Sequence, residues 1–121
     1  MKDFKKLQVW AKAHELTLEI YRMTHGLPHD EQYGLSSQLK RACSSIPANI
    51  AEGCGRNSNS GLVRFLDIAM GSASETQYHV LLARDLGYVS HDDYPDLDSQ
   101  IEEVKRMLGS LITKIRHDLN D

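Results

Sequence analysis

Glu75 and His79 are one pair of residues whose types and spacing could support chemistry. They lie four positions apart in a segment with helical periodicity, so one helix face would carry both side chains. A carboxylate and an imidazole can contribute to a metal site, but a di-iron centre in a helical bundle requires Glu-x-x-His on two helices. The sequence contains no such motif. We interpret the pair as a surface or helix-seam pair, with a metal carrier or an enzyme as the alternative.

Other candidate motifs for chemistry are incomplete. His14 and Glu15 begin the zinc-protease motif, but Leu18 stands where its second histidine is required. Cys43 and Cys54 would lie about three helical turns, or roughly 16 Å, apart on one helix, too far for a shared metal ion or a disulfide. We expect two free, buried thiols. The sequence therefore predicts no catalytic residue, no metal site, no cofactor and no small-molecule substrate.

The segment GCGRNSNSG, residues 53–61, is the clearest loop, and it combines glycines, a cation and hydroxyl groups in front of a predicted helix. Free backbone N–H groups and the helix dipole at such a point can bind an anion. Arg56, Ser58 and Ser60 are therefore candidates for contact with a phosphate or a nucleic acid. An ordinary helix–helix turn is the alternative, since the Gly-Lys-Ser/Thr ending of a P-loop is missing.

Four segments have helical periodicity, and none has strand alternation. The first ends near Gly26, the second runs from about Leu35 to Cys54, the third from about Ser60 to Leu86, and the fourth starts near Asp96. The short connections predict an all-α, antiparallel, up-down-up-down, left-handed four-helix bundle in one domain, residues 1–121. Pro47 lies inside the second helix and predicts a kink or a local break there, either tolerated or serving as a hinge.

An antiparallel hairpin of the second and third helices brings residues into register when their numbers sum to about 116. This register predicts two ion pairs and one meeting of small residues: Arg41 with Glu75, Glu52 with Arg64, and Ser45 with Gly71. With Ser72 beside it, Gly71 would allow the two backbones to approach closely near Pro47.

The first helix carries a second apolar stripe outside its seam, made of Leu7, Trp10, Leu18 and Tyr21. Large apolar residues left on one exposed strip are typical of an interface between subunits. The alternative is that the aromatic residues widen the internal core. The sequence thus predicts self-association through this helix.

Composition excludes several classes of protein. The chain has 121 residues, 40% of them hydrophobic, and its 14 basic and 17 acidic residues give a net charge of −3. This balance is typical of a folded globular domain and excludes a strongly basic nucleic-acid-binding protein, although a local patch can still bind. The N-terminal MKDFKKLQVWAKAHEL has no signal-peptide core and no apolar run of membrane-spanning length. We expect a cytoplasmic protein with no membrane partner.

Residues 33–87 resemble a known family. The segments YGLSSQLKRACSSIPANIAEGCGR, FLDIAMGSASE and LARDLGY are similar to those of the 23S rRNA intervening-sequence proteins, also called four helix bundle proteins, and the remaining helices fit as well. The resemblance implies a left-handed antiparallel bundle, ring-shaped homopentamers and no established enzymatic activity. The motif positions matched here include Arg41, Ser45, Pro47, Asn49, Glu52, Gly53, Arg56, Gly71, Ser72 and Glu75.

These observations predict a non-catalytic, homo-oligomeric assembly or adaptor protein, and the resemblance favours a pentamer. The alternative is a nucleic-acid-associated factor that binds RNA or DNA through a basic rim. A distant relative of the family, the accessory protein of diversity-generating retroelements, is a basic pentamer that contacts nucleic acid. This chain is acidic overall.

Overall fold

The described part of the chain folds into four α-helices joined by short connections, with one short 3-10 turn before the first helix and another in the first connection. The computed structural model describes the backbone of residues 2–120 and the side chains of residues 2–118, so the two ends of the predicted domain, residues 1 and 121, lie outside the described part. The helices are α1 Gln8–Thr24, α2 Leu35–Cys54, α3 Asn59–Asp85 and α4 Tyr94–Asn120, with the turns at Phe4–Lys6 and His29–Glu31. The predicted all-α four-helix bundle is confirmed.

The predicted seams form the core. Each helix turns one apolar stripe inward, and the side chains at the centre of the bundle are fully shielded from solvent. The largest of these side chains come from all four helices: Leu16 and Ile20, Leu39, Ile46 and Ile50, Leu66 and Val80, and Ile101, Val104 and Leu108.

The contacts between consecutive helices show their relative direction: as residue numbers rise along one helix, the numbers of the residues that it contacts fall along the other. Thr17 contacts Cys43, while the backbone N–H of Lys2 reaches the carbonyl of Cys54 further along α2. The α3–α4 pair shows the same order, since Gln77 bonds to Asp98 and Glu102, and Asp67 bonds to Arg116. Neighbouring helices are therefore antiparallel. The left-handed twist stays a prediction.

The helix ends follow local capping chemistry. The hydroxyl of Ser58 caps α3 by accepting a 3.1 Å hydrogen bond from the N–H of Gly61. At the other end Gly87 has φ of 82° and lets the N–H of Tyr88 bond back to the carbonyl of Ala83 at 2.8 Å. The fourth helix starts at Tyr94, slightly before the predicted position, because Pro95 is tolerated in a first turn.

Pro47 does not break α2, which is continuous through it, so the prediction of a local break is wrong. A proline at this point has no N–H to donate to the carbonyl four residues earlier, that of Cys43. The hydroxyl of Thr17 on α1 lies 3.3 Å from this carbonyl as a donor, and 2.8 Å from the carbonyl of Ala13. The single proton of this hydroxyl is shared between the two carbonyls, so a side chain from the neighbouring helix compensates in part for the hydrogen bond that the proline removes.

The α2 and α3 helices approach each other closely at Gly53, and Gly71 does not mark such a point. A Cβ atom on Gly53 would lie 3.0 Å from the Cβ of Phe65 and 3.2 Å from the carbonyl oxygen of Leu62. A Cβ on Gly71 would meet nothing within 4 Å, because this residue lies on the exposed outer side of α3. The predicted meeting of Ser45 with Gly71 is therefore wrong: Ser45 meets Ser72 instead, and α3 crowds α2 at Gly53, near the end of their hairpin.

The Thr17 contact predicts a coupling that a double-mutant cycle can measure. Thr17→Val removes the donor and should cost about 1–3 kcal/mol in the free energy of unfolding, because the Cys43 carbonyl is left buried without a partner. In a Pro47→Ala background the cost should fall by about 1 kcal/mol, since the new N–H of residue 47 can satisfy this carbonyl. Urea unfolding at one fixed protein concentration measures both values, and strictly additive effects would contradict the assignment.

Gly53 and Gly109 form a matched pair for testing the close packing of α2 against α3. Gly53→Ala should destabilise the fold by about 1–3 kcal/mol, because the backbone of Leu62 limits how far α3 can move away. Gly109→Ala should stabilise it by up to about 1 kcal/mol, since alanine favours helix and the nearest atom, Cε of Met70, lies at 3.8 Å. Thermal unfolding of both variants distinguishes crowding from helix propensity. Equal shifts would show that Gly53 is not crowded.

Candidate functional site

The predicted register is realised on the α2/α3 strip, which we define as Arg41, Ser45, Asn49, Ser72, Glu75 and His79. The guanidinium of Arg41 pairs with the carboxylate of Glu75 and lies 2.7 Å from the side-chain oxygen of Gln38. The Arg41 and Glu75 side chains are 59% and 39% exposed, and pairs with such exposure contribute only about 0–1 kcal/mol. The ion pair therefore marks the register more than it stabilises the fold.

A small hydrogen-bonded cluster lies next to this pair. The amide of Asn49 donates to the Ser45 carbonyl at 2.7 Å and to the Ser45 hydroxyl at 2.9 Å. The Ser72 hydroxyl donates to the same Ser45 oxygen from α3 at 3.0 Å. The three side chains are half-buried, so the cluster connects the two helices with polar groups that would otherwise lose their hydration. Its role is to hold the hairpin.

The Glu75 and His79 pair lies in the same strip. The Nε2 atom of His79 is 3.1 Å from the Glu75 carboxylate, and the histidine side chain is 14% exposed. The hydrogen bond from His79, followed by that from Arg41, lowers the pKa of Glu75 against an opposing effect of burial. Glu75 is thus an ionised partner of Arg41. Among the described residues, no three His, Cys, Asp or Glu side chains come together as a set that could hold a metal ion.

The predicted pairing of Glu52 with Arg64 is wrong. The Glu52 carboxylate pairs with Arg56 at 3.0 Å, and the guanidinium of Arg56 lies 4.5 Å from the ring centroid of Phe65. The guanidinium of Arg64 lies 5.9 Å from the same ring centroid. Arg56 is one helical turn from Glu52 and reaches it without crossing between helices, so it takes the place that Arg64 was expected to fill.

The three predicted anion-contact residues come together at the hairpin turn, but their polar groups are engaged. The Ser58 oxygen caps α3 and lies 3.3 Å from the hydroxyl of Ser60. Arg56 is held between Glu52 and the ring of Phe65, which orients its charge along the hairpin. The turn therefore has the properties of a helix–helix connection, and the structure gives no separate support for an anion site there.

Both cysteines are free and buried, as predicted. Burial raises the pKa of the Cys43 thiol to about 11, and the pKa of the Cys54 thiol is also raised, chiefly by burial. Each side chain is therefore a neutral thiol near neutral pH, and nucleophilic thiol chemistry has no support.

The outer stripe of α1 divides into two parts. Leu7 and Trp10 are half-buried against the core, and the Trp10 ring contacts Phe4 and stacks on His14, each with ring centroids 5.0 Å apart. These two residues belong to the edge of the core, which corrects their assignment to the exposed strip. Leu18 and Tyr21 are 45% and 41% exposed, as expected for surface residues that can contact a partner.

The outer side of α3 was not identified from the sequence. Ile68 and Tyr78 are 43% and 57% exposed and lie on the same line of the helix as Gly71. The sequence does contain a signal for this exposed apolar surface, because Ile68, Tyr78 and Leu82 are spaced so that they lie on one helix face.

The groove between α1 and α4 was also not identified. These two helices pack less closely than any other neighbouring pair. One end of the groove has an apolar floor of Leu7, Val9, Met107 and Leu111 with Lys6, Arg106 and Lys114 around it. The charged residues at the other end are mostly acidic: Glu19, Asp92, Asp93 and Asp96, with Arg22 beside them. Positive charges that are scattered in the sequence thus gather where the start of α1 meets the second half of α4.

Within the described part of the chain, no helix has the length and the hydropathy that crossing a bilayer requires.

Comparison with known proteins places the chain in a family. The model of the 23S rRNA-intervening sequence protein family matches residues 5–110. A crystal structure of a protein with unknown function from the S23 ribosomal protein family of Bacteroides thetaiotaomicron is similar at a TM-score of 0.81. The two are 27% identical, and the alignment covers 87% of this chain and 95% of that chain. No curated protein matches the sequence. The extent of the family match shows that the chain belongs to the 23S rRNA-intervening sequence protein family.

Proposed function

We propose that this protein is a non-catalytic, cytoplasmic assembly or adaptor protein that works as a homo-oligomer, and that the oligomer is the pentamer implied by the family resemblance. One observation carries the proposal: large apolar side chains remain exposed on the outer sides of two helices although the core is complete without them. On α1 they are Leu18 and Tyr21, and on α3 they are Ile68 and Tyr78.

The magnitudes favour association through several of these residues at once. Full burial of one such side chain contributes about 1.5–3 kcal/mol, and the half already hidden in the monomer reduces that gain. Association costs at least about 4 kcal/mol in lost translational and rotational freedom. One exposed side chain is therefore insufficient, whereas two on each surface, meeting in one junction, supply enough apolar area to begin to offset this cost.

The wild-type protein should have a solution mass several times that of its 13.7 kDa chain. Replacing Leu18 and Tyr21 together by serine should shift the mass toward the monomer while helix content stays unchanged, because both side chains lie outside the core. Tyr33→Ser is the matched control, since Tyr33 is 90% exposed in the connection between α1 and α2. Light scattering and circular dichroism measure both properties. A wild-type monomer would contradict the proposal.

The second candidate function is nucleic-acid binding, and the distribution of charge supports it. Lys6, Arg106 and Lys114 line one end of the α1/α4 groove. The antiparallel topology brings other cations to the same end of the bundle: Lys2, Lys5 and Arg64, together with Arg56 and Arg116, which are paired with Glu52 and Asp67. The opposite end carries the acidic residues of the groove, so the net charge of −3 conceals one basic end. In a ring with parallel subunits these ends would form the basic rim that phosphate binding requires.

Arg106→Gln with Lys114→Gln should weaken RNA binding and reduce its dependence on salt. Two lost phosphate contacts lower the slope of log affinity against log salt by about 1.4 for single strands. Arg22→Gln with Lys40→Gln removes the same charge at the acidic end and should leave the slope unchanged. Gel shifts over a salt series measure it, with the oligomer mass checked for both variants. Equal effects of the two double variants would contradict a basic rim.

A further inference from the structure

Three cations near the start of α1 and in the second half of α4 have no charged partner within the described part of the chain. Lys6, Arg106 and Lys114 are exposed, and none of them forms an ion pair there. Other basic residues each pair with a carboxylate: Lys12, Arg41, Arg56, Arg84 and Arg116. A group of unpaired positive charges attracts an anionic partner.

The three cations surround an apolar floor. Val9 is buried there, whereas Leu7, Met107 and Leu111 pack against the core and stay partly exposed. The floor is open because α1 and α4 pack less closely than the other neighbouring helices. We call this floor, together with its three cations, the basic groove.

An anionic partner that uses the whole basic groove also needs an apolar surface. An RNA backbone would use the cations alone, since its phosphates bind to positive charges. Its bases stack on aromatic rings, and the described residues that line the groove include none. A protein segment with an apolar stripe and acidic residues would bury the floor and pair with the cations at the same time.

The spacing of the cations indicates the shape of this segment. The ion pair of Lys12 with Glu103 fixes the position of α1 along the antiparallel α4. Counting back from it along the chain puts Lys6 between the levels of Arg106 and Lys114. These two residues are about 12 Å apart along α4. A single carboxylate cannot reach all three cations, whereas an amphipathic helix carries acidic residues on both sides of its apolar stripe over several turns.

The basic groove is separate from the α1 residues proposed for self-association. Tyr21 lies beside α2, where the Nζ atom of Lys40 is 5.5 Å from its ring centroid. The groove lies on the side of α1 that faces α4. A contact between subunits through Leu18 and Tyr21 therefore does not need the groove.

We infer that the basic groove binds an acidic amphipathic helix of another protein. The apolar stripe of that helix covers Leu7, Met107 and Leu111, and its Asp or Glu side chains pair with the surrounding cations. The inference rests on the adaptor role proposed above and specifies the chemistry of the partner.

A synthetic helix serves as the probe. It has about 16 residues, with leucines at i, i+3, i+7 and i+10 and glutamates on both sides of this stripe. Blocked termini and a hydrocarbon staple on its remaining side keep it helical before it binds. The matched probe has lysine in place of every glutamate. In fluorescence anisotropy with the full chain, the acidic peptide should bind one per chain and at least about 10-fold more tightly than the lysine peptide.

Two double variants test the contribution of charge. Arg106→Gln with Lys114→Gln should weaken binding of the acidic peptide about 3- to 30-fold, because two exposed ion pairs are lost. Arg22→Gln with Lys40→Gln removes the same charge far from the groove and should bind the peptide as the wild type does. Circular dichroism checks that each variant is folded.

A single variant tests the apolar floor. Met107→Gln keeps the size of the side chain and should weaken peptide binding about 3- to 10-fold, because part of the floor becomes polar. Leu86→Gln is the control: this leucine is 50% exposed at the end of α3, and its loss should leave binding unchanged.

Several outcomes would overturn the inference. They are equal binding of the two peptides, no binding of the acidic peptide at about 1 mM, or wild-type affinity of Met107→Gln. Single-stranded RNA that binds in place of the peptide, and does so equally well to Met107→Gln, would assign the cations to nucleic acid. A lower oligomer mass of Met107→Gln without peptide binding would assign the groove to a second copy.

The same measurements separate this inference from the proposed homo-oligomer. A wild-type monomer that binds the acidic peptide would contradict the homo-oligomer alone. An oligomer that does not bind the peptide would contradict the basic groove alone.

Discussion

The close packing of α2 against α3 at Gly53 is the constraint on which the rest of the hairpin depends. Without a side chain at this point, Leu62 and Phe65 lie directly against the backbone of α2. Each residue advances a helix by about 1.5 Å, so a slip of even one residue would separate partners further along. The contacts of Ser45 with Ser72 and of Arg41 with Glu75 lie in the register that this packing sets.

The opposite side of α2 is held by a different interaction. Pro47 removes a hydrogen bond from the helix, and the Cys43 carbonyl that it frees is directed at Thr17 of α1. Exposed ion pairs add little to this arrangement, because solvent screens them. Apolar packing at Gly53 and a buried hydroxyl at Thr17 therefore place α3 and α1 on either side of α2. This explains how α2 can pack against both α1 and α3 although it contains a proline.

The bundle itself could be predicted from the sequence, because apolar spacing in each helix is set by the core that the helix must cover. The Arg41 partner could be predicted for the same reason, since the hairpin register follows from the turn. The Glu52 partner could not, because two arginines lie within reach and side-chain placement decides between them. Gly71 shows the same limit: glycine in a helix favours a close approach, but a Cβ added at this position would meet nothing within 4 Å.

Trp10 illustrates a second kind of limit. Its spacing on α1 predicts an exposed position, but the short turn before the helix folds Phe4 onto its ring, and the pair joins the edge of the core. Periodicity describes a helix alone and omits what the flanking segment covers. The same reasoning explains the charge distribution. Antiparallel packing brings the basic start of α1 beside the basic second half of α4, so an acidic chain obtains one basic end from its topology. An assembly that kept its subunits parallel would gather these ends on one side, so the two proposals, self-association and nucleic-acid binding, are compatible with one structure.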